Sequence, residues 1–205
     1  MRATGVVLAG GASRRMGRDK AMLEIAGRPL LDRVIDTAGS VCNEVIVAGR
    51  LAPGGARQPA GVRWVEDAPG TRGPLAGLAA ALAIARNERC LVIACDMPFL
   101  SADFLRYLGT NHDDCDALVP MPYGVAQPLH AAYARSCLPT AASLLRLGSA
   151  SMHDLLRRRR VRYIRHEQCL RLDPTATSWF NMNRPEDYDT AAYRWPRREY
   201  EPAIA

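Results

Sequence analysis

Lysine is almost missing from this chain: of its 27 basic residues, all but Lys20 are arginine. Where arginine serves nearly every cationic need, the imbalance favours a specific task for Lys20 over chance retention, one in which a compact ammonium does what a planar guanidinium does not. No apolar run approaches the roughly 18 residues needed to cross a bilayer, which argues against a membrane protein. Residues 1–30 carry glycines and arginines where a signal peptide needs an unbroken apolar stretch, so the expected location is the cytoplasm. No Cys-x-x-Cys pair offers a zinc site, and the chain is too long for a disulfide scaffold, so the six cysteines read as reduced thiols. Internal repeats and low-complexity linkers are also absent, which makes one domain over 1–195 and a loose tail over 196–205 the economical division. With 48% hydrophobic and 23% charged residues, disorder and collagen are excluded.

The net charge of +6 is concentrated in one place. Between 146 and 171 stand Arg146, Arg157, Arg158, Arg159, Arg160, Arg162, Arg165 and Arg171 against Asp154 and Glu167, an excess equal to that of the whole chain. Such a tract reads as a solvated helix end, as a surface for an anionic partner, or least readily as a nucleic-acid contact. Tyr163 is the only aromatic in the segment, which lacks the interleaving that stacking on bases requires.

Short apolar runs alternate with helical patterns, the signature of an α/β fold with a largely parallel sheet. A strand over Thr4–Ala9 stops at Gly10 and Gly11, which puts the following loop at a strand's C-terminal end, where open α/β sheets bind ligands. Pro29 opens a helix with the apolar stripe Leu30, Leu31, Val34, Ile35 and Ala38. Strands are expected at Glu44–Ala48 and Val62–Glu66, separated by a Gly- and Pro-rich loop over 49–61, with Asp67 at the end of the second. Pro74 begins an alanine-rich helix reaching about Asn87, and Cys90–Cys95 is a buried strand delivering Asp96 into a turn. Beyond 100 the expectation is a helix near 101–110, strands near 116–120, 129–134 and 161–164, two helices within 136–159, and a last helix from Pro185 to about Tyr193. From Trp195 onward, two prolines and several charges suggest a loose end.

Residues 8–20, L-A-G-G-A-S-R-R-M-G-R-D-K, carry the most chemistry. Their glycines let backbone N–H groups approach a polyphosphate, and Arg14, Arg15 and Lys20 supply cations to match it. Two commoner loops are excluded. A P-loop needs Gly-Lys followed by Ser or Thr, whereas Lys20 lies between Asp19 and Ala21, and the Gly-x-Gly-x-x-Gly spacing of a dinucleotide fingerprint is missing.

This loop, with G-R-P-L-L after it, closely resembles the opening of the molybdenum cofactor guanylyltransferases. Further matches follow in the same order: E-D-x-x-G at 66–70, G-P-L-A-G-L at 73–78, A-C-D-M-P-F-L at 94–100, Q-P-L-H-A-A-Y at 127–133 and F-N-M-N-R-P-E-D at 180–187. An L-A-G-G opening alone is shared with sugar-phosphate nucleotidyltransferases; the ordered set is specific and spans most of the chain.

The resemblance implies a Rossmann-like α/β nucleotidyltransferase fold of three layers with a mostly parallel sheet. It also implies that GTP and Mg²⁺ are bound and that GMP is joined to molybdenum-loaded molybdopterin. Asp96, a carboxylate at a strand end, is then the expected Mg²⁺ ligand against the α-phosphate, the alternative being a helix N-cap ahead of Met97 and Pro98. Lys20 and Arg15 are assigned to the triphosphate. Leu8, Ala9, Gly10 and Gly11 would line the nucleotide through backbone groups, Asp67 would accept hydrogen bonds from the nucleoside, and Gly73, Pro74 and Leu75, in a wall running to Gly77, would flank the base. Asn181 and Asn183 read as a second metal contact, a pterin contact or turn residues, and Gln127 falls on the pterin side. The basic tract would hold the pterin phosphate or dock acidic partners, among them molybdenum-insertion or acceptor-enzyme chaperones.

Some positions depart from the pattern. Ala48 stands where some members have an asparagine that touches the nucleotide, and Gln127 stands where some have a histidine. His130, His153 and His166 fall into no metal spacing and read as structural or surface residues. Two other readings stay open: the sister cytidylyltransferase or another small-molecule nucleotidyltransferase, and a non-catalytic cofactor carrier or chaperone. L-A-G-G and G-P-L-A-G favour guanine, and intact Lys20 and Asp96 favour catalysis.

Overall fold

The computed structural model describes residues 1–9, 23–49, 61–111 and 114–198. Five strands come first along the chain: β1 (Thr4–Leu8), the two-residue strands β2 (Glu24–Ile25) and β3 (Arg28–Pro29), which among the described residues pair only with each other, β4 (Glu44–Ala48) and β5 (Val62–Val65). They are joined later in the chain by β6 (Arg89–Ala94), β7 (Ala117–Pro120), β8 (His130–Ala134) and β9 (Val161–Ile164). Among the described residues the main sheet has seven strands in the order β5-β4-β1-β6-β8-β7-β9, and β8 alone runs against the others.

The register aligns the strand ends. Leu8 lies opposite both Ala48 and Ala94, and Ala48 lies opposite Val65, so β5, β4, β1 and β6 finish in one row. The residues just beyond that row, Asp67, Gly49, Ala9 and Asp96, therefore emerge at one edge. Because β8 is antiparallel and Ile93 pairs with His130, the start of β8 and the end of β7 reach the same edge.

Helices cover both faces. On one side lie α1 (Leu30–Val41) and α3 (Ala102–Thr110), packed on Val7, Val45, Val47, Leu91 and Ile93. On the other lie α2 (Pro74–Ile84), α4 (Leu138–Arg146) and α5 (Met152–Arg157), packed on Val6, Leu8, Ile46, Cys90 and Val92. Alternate residues of each strand thus feed opposite cores, which is why the strands read as unbroken apolar runs. α1 buries its expected stripe, extended to Val41. α2 is apolar all round, as a helix enclosed by neighbours must be. Ser101 and Ser151 cap α3 and α5 by accepting the N–H of Phe104 and Asp154. The three-layer, mostly parallel α/β expectation holds, and all six cysteines are buried thiols outside any disulfide.

Several boundaries differ from the sequence reading. Pro29 belongs to a β2–β3 hairpin and precedes α1 instead of opening it; Ala26 (φ 49°) and Gly27 (φ 71°) turn that hairpin. A further helix, α6 (His166–Leu172), was not anticipated, since two turns with one fully buried residue, Cys169, leave little periodicity. α7 (Pro185–Arg198) runs past the expected end at Tyr193. Trp195 explains the extension: its ring stacks on Phe99 at 5.9 Å and takes the Arg33 guanidinium at 4.2 Å, so this part of the expected loose end is anchored. No helix among the described residues is long and apolar enough to cross a membrane.

Candidate active site

The strand-end row is stitched together by backbone hydrogen bonds. Ala9 N–H donates to the Ala48 carbonyl at 2.8 Å, Gly49 N–H to Val65 at 3.0 Å, and Cys95 N–H to Leu8 at 3.1 Å. Ala94 N–H donates to the Leu129 carbonyl at 2.9 Å, which ties β6 to the segment carrying Gln127. Asp96 follows this lattice directly and is half-buried, so its carboxylate is delivered by rigid backbone on both sides.

The C-terminal segment closes on the same point. Met182 N–H donates to the Asp96 carbonyl at 2.9 Å, placing Asn181 and Asn183 on either side of that bond. Asn181 Nδ2 donates to the Trp179 carbonyl at 3.0 Å, and the N–H groups of Asn183 and Arg184 both donate to Asp187 Oδ2 at 2.8 Å. Asp187 lies in the motif at 180–187 but was given no task in the sequence reading; it fixes the turn that presents the asparagines.

On the β5 side, Gly77 lets α2 approach the strand ends. A Cβ there would stand 3.0 Å from Leu8 Cδ2, 3.5 Å from Ala48 Cβ and 3.6 Å from Asp67 Oδ1. The cue in the sequence is a glycine inside an Ala- and Leu-rich helix, which costs helix propensity unless a close approach needs it. Burial, helped by the neighbouring charge of Glu66, pushes the Asp67 carboxyl above its ordinary value. Ala48 is buried between β1 and Gly77, so no polar side chain reaches the site from that position. Gly73 (φ 91°) and Pro74 are exposed at the start of α2, which has no side-chain cap, while Leu75 is fully buried and can present only its backbone.

The structure thus brings Leu8, Ala9, Asp67, Asp96, Gln127, Asn181 and Asn183 to one edge, beside the start of α2. Gly10, Gly11, Arg14, Arg15 and Lys20 lie outside the described residues. The Arg157–Arg160 run of the basic tract does not join the site. Arg160 stands at the beginning of β9 beside Asp116, which precedes β7, on the opposite edge of the sheet. Arg157 pairs with Asp154, and Arg159 and Arg160 with Asp116, at 2.7, 3.1 and 3.8 Å. A role for Arg157–Arg160 in holding a phosphate at Asp96 is therefore not what the fold provides, whereas Arg165, just past Ile164 at the other end of β9, stands on the Asp96 edge. Of the histidines, His130 is fully buried, His153 is exposed, and His166 lies under the ring of Tyr123 at 4.6 Å.

Among the described residues no group of three or more His, Cys, Asp or Glu could hold a metal unaided. Asp96 by itself suits Mg²⁺, which keeps most of its water and binds through one or two carboxylates plus substrate phosphates. A carboxylate at a strand end is a donor that fits the ion.

Known proteins match this chain over most of its length. It is 38% identical over 187 residues to a probable molybdenum cofactor guanylyltransferase of Pelotomaculum thermopropionicum, spanning 91% of this chain and 90% of that protein. It is 33% identical over 195 residues to the molybdenum cofactor guanylyltransferase of Desulfosudis oleivorans, spanning 92% and 93%. The crystal structure of molybdopterin-guanine dinucleotide biosynthesis protein A from Archaeoglobus fulgidus superposes with a TM-score of 0.83 at 28% identity, covering 95% of this chain and 99% of that one. The model of the MobA-like NTP transferase domain matches residues 5–166. With its strand-end carboxylate, its parallel sheet and these matches together, the chain belongs to the MobA-like NTP transferase family, among the nucleotidyltransferases of molybdenum cofactor biosynthesis.

Proposed function

We propose that the protein transfers GMP from GTP to the terminal phosphate of molybdenum-loaded molybdopterin, forming molybdopterin guanine dinucleotide in the cytoplasm. A phosphate oxygen of the acceptor attacks the α-phosphorus of GTP, the bond to the β-phosphate breaks, and pyrophosphate leaves. The observation that carries this reading is the convergence of Asp96 and the Asn181–Asn183 segment at the strand ends, in a chain related to guanylyltransferases over nine-tenths of its length.

Such a displacement needs in-line positioning and charge neutralisation more than covalent help. Bound Mg²⁺ would supply Lewis-acid neutralisation of phosphate oxygens, and Asp96 is the residue that would hold it. Lys20 and Arg15 steady the charge gathering on the leaving pyrophosphate, while N–H groups of the loop from Leu8 through Gly11 receive phosphate oxygens. Asp67 accepts hydrogen bonds from the nucleoside, and Gly73, Pro74 and Leu75 flank the base through backbone. Gln127, Asn181 and Asn183 face the acceptor. Molybdenum-insertion proteins and acceptor-enzyme chaperones are the partners this chemistry calls for.

Purified protein with Mg²⁺ and molybdate-loaded molybdopterin, given GTP, CTP and ATP in turn, tests the reading by product mass. A guanine dinucleotide from GTP alone is expected. A cytosine product assigns the chain to cytidylyl transfer, and no product from folded protein that binds GTP assigns it to cofactor carriage; either result overturns the reading.

A further inference from the structure

A cavity of about 330 Å³ opens beside the Asp96 edge, bordered by Tyr123, Val125, Gln127, Trp179, Phe180 and Arg194. That volume lies at the lower end of the range for sites that enclose a small organic ligand. In its lining, three rings from two chain segments meet one guanidinium and one carboxamide. Val125 is 60% and Tyr123 68% exposed, so apolar and aromatic surface is held in water at the cavity mouth.

Tyr123 is held there deliberately. It follows Pro122 in a single 3₁₀ turn, with φ 52° and ψ 27°, a left-handed conformation that a bulky side chain rarely adopts. Its backbone N–H donates to His166 Nδ1 at 3.1 Å, and its ring lies 4.6 Å from the imidazole. Across the cavity, the Arg194 guanidinium stands 6.0 Å from the Phe180 ring centre. Trp179 is buried, and its indole N–H has no hydrogen-bond partner among the described residues.

Both walls are tied to Asp96. Phe180 is two residues from Met182, whose N–H is bonded to the Asp96 carbonyl, and Gln127 is two residues from Leu129, whose carbonyl accepts from Ala94. Two extended residues span at most about 7 Å. One molecule with a phosphate at one end and a flat ring system at the other can therefore reach both places.

We propose that this cavity takes the fused heteroaromatic ring system of the phosphate-bearing acceptor, stacked against Tyr123 and Phe180 with the Arg194 guanidinium at the rim. The inference rests on the function proposed above. It assigns the ring to a surface distinct from the one that receives the nucleotide base at α2. A guanine base shares the flat, hydrogen-bonding chemistry of a pterin, so the test separates the two.

Binding of 6-hydroxymethylpterin, followed by quenching of its fluorescence, and of GTP, followed by calorimetry, is measured for the full chain and for Tyr123→Asn and Arg194→Gln. Both side chains are exposed, and asparagine tolerates the left-handed backbone at 123, so neither variant removes core packing. Roughly tenfold weaker pterin binding by Tyr123→Asn is expected, with a smaller loss for Arg194→Gln and GTP affinity unchanged. Undiminished pterin binding in both variants, no pterin binding by the parent, or loss of GTP affinity in place of pterin affinity would each overturn the proposal. The product assay separates the two layers. Guanine dinucleotide formation with pterin binding indifferent to Tyr123 sinks the cavity alone, whereas ring-dependent pterin binding without product sustains the cavity and sinks the transfer reaction.

Discussion

Met182 and Asp96 are joined by a backbone hydrogen bond of 2.9 Å, although they lie far apart in sequence. The strand-end carboxylate and the Asn181–Asn183 segment are thereby fixed to each other.

The turn that carries them depends on Asp187, whose Oδ2 accepts from Asn183 and Arg184. Asp187→Ala leaves both donors without that acceptor and loosens the segment. The acceptor KM is expected to rise roughly tenfold, and kcat with saturating acceptor to change less. Initial rates at varied acceptor check this, and an unchanged KM would show that the segment does not position the acceptor.

Gly77 offers a second test. Alanine favours the helix by about 1 kcal/mol, but its Cβ would press on Leu8 and approach Asp67. Gly77→Ala is expected to keep stability within about 1 kcal/mol of the parent while weakening GTP binding several-fold. Urea unfolding and calorimetry report the two effects separately. Intact GTP affinity would contradict the placement of the nucleotide beneath α2.

His130 makes stability depend on pH. Burial pushes its imidazole down to about 4, against the opposing influence of the Asp173 carboxylate and the Ser178 backbone. The folded pKa lies below the unfolded value near 6.5, so the unfolded chain takes up the proton first. This contribution is complete above about 6.5 and is lost as pH falls towards about 4, by roughly 3 kcal/mol in total. Replacing the ring with an apolar side chain, His130→Leu, should remove that slope. Between pH 6.5 and 5 the stability gap between variant and parent should shift by roughly 2 kcal/mol in the variant's favour; a constant gap would contradict the assignment.

The Arg157–Arg160 run is expected to act on stability and not on catalysis. Burial works against ionisation of Asp116, but the Arg160 N–H and the guanidinium groups of Arg159 and Arg160 hold its carboxyl below the usual range. Asp116→Ala leaves the half-buried Arg159 without its 3.1 Å partner and should destabilise by roughly 1–3 kcal/mol. Arg158→Gln should leave acceptor KM unchanged. A raised KM in that variant would restore the tract to substrate binding.

Much of the fold was legible because buried strands such as Glu44–Ala48 and helices such as α1 carry long, regular apolar patterns. The β2–β3 hairpin and α6 were not, since strands of two residues and a seven-residue helix hold too few positions for a period to emerge. Trp195 misled for another reason: prolines and charges around it suggested a free end, while its contacts with Phe99 and Arg33 are tertiary and leave no local pattern. In the site, Asp67 and Asp96 could be read from strand ends and motif order. The bond from Met182 and the approach at Gly77 depend on how distant segments pack. The basic tract showed the limit of counting charge, because only the direction of β9 reveals that Arg160 and Arg165 lie at opposite edges.

The most direct measurement is turnover of GTP to guanine dinucleotide by Asp96→Asn beside the parent, across a Mg²⁺ titration, with GTP affinity measured without metal. The substitution keeps shape and removes charge at a half-buried strand end. The account predicts a fall in kcat/KM of at least about 100-fold, a weakened response to Mg²⁺, and metal-free GTP affinity within about twofold of the parent. Full turnover with an unaltered Mg²⁺ dependence would contradict the claim that nucleotidyl transfer is organised around Asp96.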